Sequence, residues 1–306
     1  MPITSQTNPA APRPRVKEAL AEGWNFTKSH FWKMWGIFML FCLITGIGTI
    51  IPFALAGAGI QFTHTAHMPR FAATVIDFLA SLVYFAPLIL VDFALYAGLF
   101  LAVKNGLDGK PFGVANLFAA FGSRYKKTVL LGLFVFGSLL ALLVTVFGLL
   151  GGLEFFMLRA AQSDFVPLFG NLIPLYYVVA FAALFGASVF VTYPYLLLWE
   201  EGKSVKETLL DSFRLGKRYF KPTLLYLLSF VGIAAIVGVA VAIVMGLFLG
   251  LQMLFLPTVR SGAPVLVIAG GGVVGLGLLF ALPILGSWSY ATCAALYRKI
   301  MELEAR

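Results

Sequence analysis

Hydrophobic residues along this 306-residue chain form long, nearly uninterrupted stretches. A helix that crosses a bilayer needs about 20 apolar residues, and six stretches reach that length. They cover residues 35–60, 71–103, 128–157, 172–198, 223–256 and 264–296. The pattern predicts an all-α, polytopic membrane helix bundle with six transmembrane helices. The longest stretches would measure roughly 50 Å at 1.5 Å per residue, so they must tilt, bend or protrude from the bilayer.

The segments around these stretches define the rest of the predicted organisation. Residues 1–14 are rich in Pro, Ala and Thr and are predicted to form a disordered tail. Residues 15–300 should form a single membrane domain, followed by a C-terminal tail at 301–306. No early apolar segment precedes the first stretch, so we expect no cleavable signal peptide. The second stretch has an alternative form, an interfacial piece at 71–80 followed by a crossing at 82–103.

Composition supports a membrane environment and argues against other classes of protein. Hydrophobic residues make up 60% of the chain and charged residues 11%, against about 25% charged residues in soluble domains. The net charge of +9 suggests nucleic acid, but the cations lie in short clusters between apolar stretches, so we expect no nucleic-acid partner. Cys42 and Cys293 both lie inside apolar stretches. They have no disulfide or metal-binding spacing, and we expect no cofactor.

The distribution of Lys and Arg predicts the orientation of the helices. Of the 22 cationic residues, 19 lie in the N-terminal segment, the second and fourth loops and the C-terminal tail. The other three, Arg70, Arg159 and Arg260, fall one in each alternate loop. The positive-inside rule therefore predicts that both termini and the cation-rich loops lie in the cytoplasm. The outer loops should be centred near His64, Asp164 and Arg260.

An aromatic–cationic motif precedes the first, third and fifth stretches, at residues 30–33, 124–127 and 218–221, and its final lysines are 94 residues apart. Short amphipathic helices are predicted just upstream, at 16–31, 112–125 and 204–220. The last begins with Ser204-x-x-Glu207, a capping-box pattern. These features predict three repeats of an interfacial helix followed by a transmembrane hairpin. The alternative is that every cytoplasmic start of a crossing collects aromatic and cationic residues.

The cations of these motifs are candidate contacts for anionic lipid headgroups. They are Lys33, Arg124, Lys126, Lys127, Lys217, Arg218 and Lys221. The alternative is that they fix the topology during insertion and have no later role.

Two segments carry a resemblance to a known family. Residues 193–204 read Tyr-Pro-Tyr-Leu-Leu-Leu-Trp-Glu-Glu-Gly-Lys-Ser, and Leu209, Ser212-Phe213 and Leu215-Gly216 follow. This segment resembles a recurring element of bacterial six-helix membrane proteins related to the membrane domain of glycerophosphodiester phosphodiesterases. Gly98 together with residues 116–121 is similar to an earlier cytoplasmic segment of that family. The resemblance implies a membrane module and no hydrolase, because the phosphodiesterase activity resides in a separate soluble barrel that this chain lacks.

Asp92 is the sharpest candidate for chemistry, since no P-loop, Gly-x-Ser-x-Gly or His-Glu-x-x-His motif occurs. It falls near the middle of the second crossing if that crossing covers 82–103, and an Asp at a helix centre costs about 2.5–3.5 kcal/mol on insertion scales. We therefore expect it to be buried and hydrogen-bonded, with Tyr96, one turn on, or a residue of the fourth or fifth helix. Asp92 and Tyr96 form a candidate proton or cation site. The alternative is a protonated Asp that fixes helix packing.

These features favour a non-enzymatic protein of the bacterial cytoplasmic membrane that organises or assists lipids or partner membrane proteins. Its expected partners are membrane lipids, other membrane proteins or copies of itself. The alternative is a transporter or channel for a small solute or lipid that uses Asp92. A membrane-embedded enzyme is less favoured because only single polar residues occur. Convergence of polar groups on Asp92 would distinguish these functions, and the residues concerned are Tyr176, Tyr177, Thr192, Tyr193 and Gln252.

Overall fold

The computed structural model describes residues 14–65, 70–160, 173–200, 203–255 and 265–305. Within these ranges all regular structure is helical and no strand occurs. The long helices are α2 (Phe31–Thr65), α3 (Arg70–Leu107), α5 (Tyr125–Ala160), α9 (Phe220–Phe255) and α10 (Val265–Glu304). The shorter helices are α1 (Val16–Ser29), α4 (Val114–Leu117), α6 (Ile173–Ser188), α7 (Pro194–Leu197) and α8 (Val205–Arg218), with a 3₁₀ turn at Ala119–Phe121.

Five of the described helices are long and apolar enough to cross a membrane. The qualifying segments are Phe31–Gly48, Ile89–Leu107, Tyr125–Val146, Phe220–Phe248 and Gly277–Glu304. The prediction of an all-helical chain with several membrane-spanning helices is therefore confirmed, and the protein reads as a multi-pass membrane protein. The predicted outer loops fall largely on residues 66–69, 161–172 and 256–264, which lie outside the described residues, as does the predicted tail up to residue 13.

The predicted helix over 172–198 is wrong at its C-terminal end, because α6 stops at Ser188. The chain then turns, the Thr192 hydroxyl donates to the Ser188 carbonyl over 2.7 Å, and α7 begins at Pro194. Proline has no backbone N–H, so it suits the first turn of a helix, where that group has no partner within the helix. The break brings residues 194–199 out of the line of α6.

Two further expectations differ from the structure. The second stretch is one continuous helix, α3, so the alternative with a separate piece at 71–80 is wrong. The middle amphipathic helix, predicted over 112–125, is reduced to α4 and the 3₁₀ turn. Gly113 and Gly122 flank this pair, and the Asn116 side chain accepts a hydrogen bond from the Gly113 N–H over 2.8 Å. Glycine and local side-chain bonds both favour turns over a long helix.

The chain divides into two compact units. Unit 1 comprises Met1–Phe38, Gly106–Gly109 and Lys221–Arg306. In it α1 packs along the C-terminal half of α10, where residues 291–297 are all buried. Trp288 donates to the Leu20 carbonyl over 3.0 Å, and Gly23 lies directly on Thr292. Glycine at this point lets the two helix backbones approach closely.

Unit 2 comprises Met39–Asn105 and Lys110–Phe220. Its best-packed part joins the C-terminal half of α3 to the start of α5 and to α4, α7 and α8. Buried side chains on α3 run from Ala94 to Val103. On α5 burial is confined to the start, since Leu131 and Gly132 are buried and none of residues 133–146 is. The core of this unit therefore lies where the short helices meet the ends of the long ones.

Candidate functional site

Unit 2 contains a compact hydrophobic group that we call the junction cluster. Its buried members are Ala94, Ala97, Ala120, Leu131 and Leu198. Partly buried side chains pack against them: Tyr125, Tyr195, Trp199, Val205 and Leu209. The small alanines leave room for the large aromatic rings. Side chains from α3, the 3₁₀ turn, α5, the α7 region and α8 therefore pack together in this cluster.

Two polar side chains tie these segments together through backbone carbonyls. The Trp199 indole Nε1 donates to the Ala97 carbonyl of α3 over 2.9 Å. An Arg124 guanidinium nitrogen donates to the Leu198 carbonyl over 2.7 Å, and the same guanidinium lies over the Trp199 ring, 5.2 Å from its centroid. A charged donor makes a stronger hydrogen bond than a neutral one, and the ring face adds a cation–π attraction. Trp199 therefore fixes the turn after α7 to α3, and Arg124 fixes the same turn to the residue that precedes α5.

Two glycines allow the backbones in this region to approach. A Cβ on Gly98 would overlap the Leu117 carbonyl of α4 and lie 2.7 Å from the Asn116 oxygen. A Cβ on Gly132 would overlap the ring of Phe93. The two segments that carry the family resemblance, Gly98 with 116–121 and 193–216, thus belong to one packed cluster, and their unusual residues have a structural role.

The link between α7 and α8 is held by charges. The Lys203 ammonium contacts a Glu200 carboxylate oxygen at 2.6 Å and an Asp211 oxygen at 3.0 Å. Partial burial acts to lower the pKa of Lys203, but the hydrogen bonds and charges of Glu200 and Asp211 outweigh it and raise the pKa above its ordinary value. The Lys127 ammonium donates to the Lys203 carbonyl over 3.3 Å, which connects this link to α5.

The predicted capping box at the start of α8 is confirmed. The Ser204 backbone N–H donates to a Glu207 carboxylate oxygen over 2.7 Å, and the Glu207 N–H donates to the Ser204 hydroxyl over 3.3 Å. The bond from the Ser204 backbone lowers the pKa of Glu207, and the bond from its hydroxyl adds to that effect. Orphan N–H groups of the first helical turn are satisfied in this way.

The inner face of α8 is bound to the turn after α6. The Ser212 hydroxyl donates to the Phe190 carbonyl over 2.8 Å. A Cβ on Gly216 would lie 2.8 Å from the Val189 carbonyl oxygen, so only glycine fits there without movement. The outer side of α8 carries a line of exposed residues at 206, 210, 213 and 217. Of these, Phe213 lies at the edge of the line, where one side of its ring stacks on Phe190 with centroids 4.8 Å apart. Val205 and Leu209 of the same helix pack inward against the junction cluster.

Asp92 lies on α3, one turn before the junction cluster. The residue is half-buried. Its Oδ1 atom is enclosed and accepts no hydrogen bond from any residue in the described part of the chain, so the predicted hydrogen bond is not made at this atom. The Tyr96 ring packs instead against Phe41, with ring centroids 5.0 Å apart, and against Tyr195 at 6.4 Å. Tyr96, one turn along α3 from Asp92, therefore belongs to an aromatic group with Phe41 and Tyr195.

Of the five other polar residues named for convergence on Asp92, two have side chains that the structure describes. Tyr193 is fully buried beside α7, and the Thr192 hydroxyl is used within its own turn. The side chains of Tyr176, Tyr177 and Gln252 lie outside the described residues.

The candidate lipid contacts fall into two groups. Six are exposed: Lys33, Lys126, Lys127, Lys217, Arg218 and Lys221. Arg124 is half-buried, and its guanidinium is held by Leu198 and Trp199. The sequence could not distinguish these groups, because both kinds of cation precede a crossing. Arg124 is better described as a packing residue.

Sequence reasoning missed the packing roles of Trp199, Gly98 and Gly132. A signal existed for the first two, since both stand in the segments that carry the family resemblance. The isolated Gly132 in an apolar run was also a usable signal, because a glycine costs about 1 kcal/mol relative to alanine in a helix and usually has a packing reason. The outward line on α8 could have been found from its spacing of four, three and four residues.

Among the residues that the structure describes, no group of three or more His, Cys, Asp or Glu side chains could hold a metal ion. What the described site offers is tight packing between helices and an exposed basic helix face. Comparison with known proteins adds no identity, since no family model, no curated protein and no solved structure matches this chain.

Proposed function

We propose that this protein is a non-enzymatic module of a bacterial cytoplasmic membrane that organises or assists lipids or partner membrane proteins. One observation carries the proposal. Beyond Tyr226, none of the residues 227–248 of α9 is buried, although the segment is strongly apolar. Ile236 is 71% exposed and Val239 is 60% exposed. A large exposed apolar surface is typical of a contact with a membrane or a protein partner, and here it forms the flank of a helix.

The use of polar side chains supports the same proposal. Trp199, Arg124 and Ser212 all donate to backbone carbonyls of other segments, and in unit 1 Arg298 donates to the Leu107 carbonyl over 2.9 Å. These groups hold helices together and are not aimed at a common point. The resemblance to the membrane domain of glycerophosphodiester phosphodiesterases remains a prediction, and it agrees with a module that lacks catalysis.

For the topology we propose six crossings with both termini in the cytoplasm. Five of these crossings are the apolar segments already described, and the remaining one, fourth in chain order, is α6. Its 16 residues span about 24 Å at 1.5 Å per residue, and residues 161–172 precede it outside the described ranges. The alternation of 19 and 3 cations gives the orientation by the positive-inside rule.

The proposed threefold repeat is supported by helix positions and by one exchanged contact. The helices α2, α5 and α9 begin at Phe31, Tyr125 and Phe220, so their first residues are 94 and 95 residues apart. In unit 1 the ring of Phe38 on α2 fills the space above Gly286 of α10, whereas in unit 2 the ring of Phe93 on α3 fills the space above Gly132 of α5. Phe38 and Gly132 are 94 residues apart and are therefore equivalent in the repeat. At this position unit 1 has the large residue of the contact and unit 2 has the small one.

Photo-crosslinking in native membranes tests the proposed function. A photoreactive residue is placed at Ile236 or Val239 on α9, and at Phe134 on α5 as a matched lipid-exposed control. We expect the α9 positions to capture one membrane protein or one lipid class in preference to the control. Equal capture of bulk lipid at all three positions would contradict the proposal.

A second candidate function, a transporter or channel, is favoured by the enclosed Oδ1 of Asp92. A carboxylate atom buried without a partner is costly and is a common feature of proton or cation pathways in membranes. Proteoliposomes with an imposed proton or cation gradient test it. A transporter should show flux that Asp92→Asn abolishes and that Asp108→Asn, at an exposed loop position, leaves intact. Absence of flux in the wild type, or equal flux in both variants, rules this role out.

A further inference from the structure

We propose that the outward face of α8 docks on the anionic leaflet of the bilayer that the chain itself crosses. The face consists of Lys206, Leu210, Phe213 and Lys217, which we call the α8 stripe. These positions are separated by four, three and four residues, so they follow one side of the helix. The inference deepens the proposed function by assigning lipid to this surface, and it rests on the chain being a membrane protein.

The α8 stripe has the chemistry of an interfacial helix. Leu210 and Phe213 are each 53% exposed, and exposed lysines stand one turn before and one turn after them. Apolar side chains in the centre can enter the acyl boundary, while the flexible lysine stems let the ammonium groups reach headgroups. Exposed leucine and phenylalanine side chains at the centre of a basic helix face are not expected on a surface that contacts only water.

The charges around the stripe are complementary to an anionic surface. Arg218 adds an exposed cation in the last turn of α8, and Lys221 follows three residues later in the sequence. The two acidic residues of α8 are engaged elsewhere, because Glu207 caps the helix through Ser204 and Asp211 contacts Lys203 and Arg214. The face therefore presents cations with little competing negative charge.

The position of α8 also fits the proposal. Only Tyr219 separates the end of α8 from Phe220, where the apolar α9 begins. The helix is fixed on its inner side by the Ser212 bond to Phe190, by the close approach of Gly216, and by the Lys203 ion pairs. A helix that is joined to a membrane span by one residue and is held rigidly presents its outer face without further ordering, which favours binding.

Site-directed spin labelling of the full-length protein in nanodiscs tests the depth of the stripe. Cysteines at Leu210 and Phe213 are labelled in a Cys42→Ala background, since Cys293 is buried. Lys110, exposed in the loop after α3, is the control position. We expect labels at 210 and 213 to be accessible to oxygen and protected from a water-soluble nickel chelate in nanodiscs that contain phosphatidylglycerol. The label at 110 should show the opposite preference.

A charge variant tests the leaflet preference. The double variant Lys206→Gln, Lys217→Gln should lose at least half of the thermal stabilisation that phosphatidylglycerol gives over phosphatidylcholine alone. The matched variant Lys17→Gln, Lys110→Gln, at exposed positions outside the candidate lipid contacts, should keep it. Nickel accessibility at 210 and 213 equal to that at 110, or equal losses in the two variants, would overturn the proposal. Protection seen in native membrane vesicles but not in nanodiscs would assign the stripe to a protein partner and would also overturn it. These outcomes are independent of the α9 cross-links.

Discussion

The contact between Gly98 and α4 gives the most direct test of the junction cluster. A Cβ at this position would lie 2.5 Å from the Leu117 carbonyl carbon and 2.7 Å from the Asn116 oxygen, with the Leu117 oxygen closer still. Ordinary carbon contacts are about 3.5 Å or longer. Gly98→Ala therefore requires the α4 backbone to move by roughly 1 Å, because no flexible side chain is available to give way.

The expected cost can be bracketed. Overpacking of a well-packed site costs about 1–3 kcal/mol, and a backbone neighbour places this site toward the upper end. Alanine regains about 1 kcal/mol of helix propensity over glycine. The net expectation is a loss of about 1–2 kcal/mol in unfolding free energy, or several degrees in melting temperature.

Thermal unfolding in detergent, followed by loss of the monodisperse peak, measures this effect. Gly137→Ala on α5 is the matched control, because a Cβ there meets no atom within 4 Å. It should be neutral or stabilising. Equal melting temperatures for the Gly98 and Gly137 variants would refute the close approach of α3 and α4.

Four further predictions follow from the described contacts and from the sequence. Trp199→Phe keeps an aromatic ring but removes the indole N–H that donates to the Ala97 carbonyl, so unfolding free energy should fall by about 0.5–1.5 kcal/mol; an unchanged melting temperature would contradict the bond. Glu207→Gln should destabilise the protein at neutral pH. Because the folded pKa of Glu207 is lowered, its contribution is present above the unfolded value of about 4.3 and is lost as pH falls through the folded pKa. The melting difference from wild type should therefore close in acid, and a constant difference argues against the cap. Single cysteines at Asp164 should be labelled from outside the cell and those at Lys110 should not; the reverse pattern would invert the topology. Purified protein should not hydrolyse glycerophosphodiesters, and a metal-dependent release of glycerol phosphate that survives purification would show an enzyme.

Local features were predictable because their physical causes are local. The apolar length of each stretch is set by the bilayer, and α2, α5 and α9 begin three or four residues before the predicted stretches. The Ser204–Glu207 cap and the helices α1 and α8 depend on neighbours three or four residues away. Where the local reasoning was wrong, at Ser188 and in 112–125, turns interrupt the hydrophobic pattern, one before Pro194 and the other between Gly113 and Gly122.

The candidate site was less predictable because it depends on contacts between distant segments. Trp199 bonds to a carbonyl 102 residues away, and Arg124 to one 74 residues away. Nothing in a list of cations distinguishes Arg124, which is held inside the cluster, from Lys126, which is exposed. Their different roles depend on which face of α5 meets the turn after α7.

The sequence by itself determined the solvent of this protein, since a chain with 60% hydrophobic residues and a clustered minority of cations calls for a bilayer. It also determined the helical class, because backbone groups in lipid must be satisfied within the segment. Only the tertiary structure decided which faces pack. It turned Val205 and Leu209 inward and left Leu210 and Phe213 exposed, although all four are apolar residues of one helix. That choice follows from Gly216 of α8, which lets the helix approach the Val189 carbonyl, and from the small alanines of the junction cluster, against which Val205 and Leu209 pack.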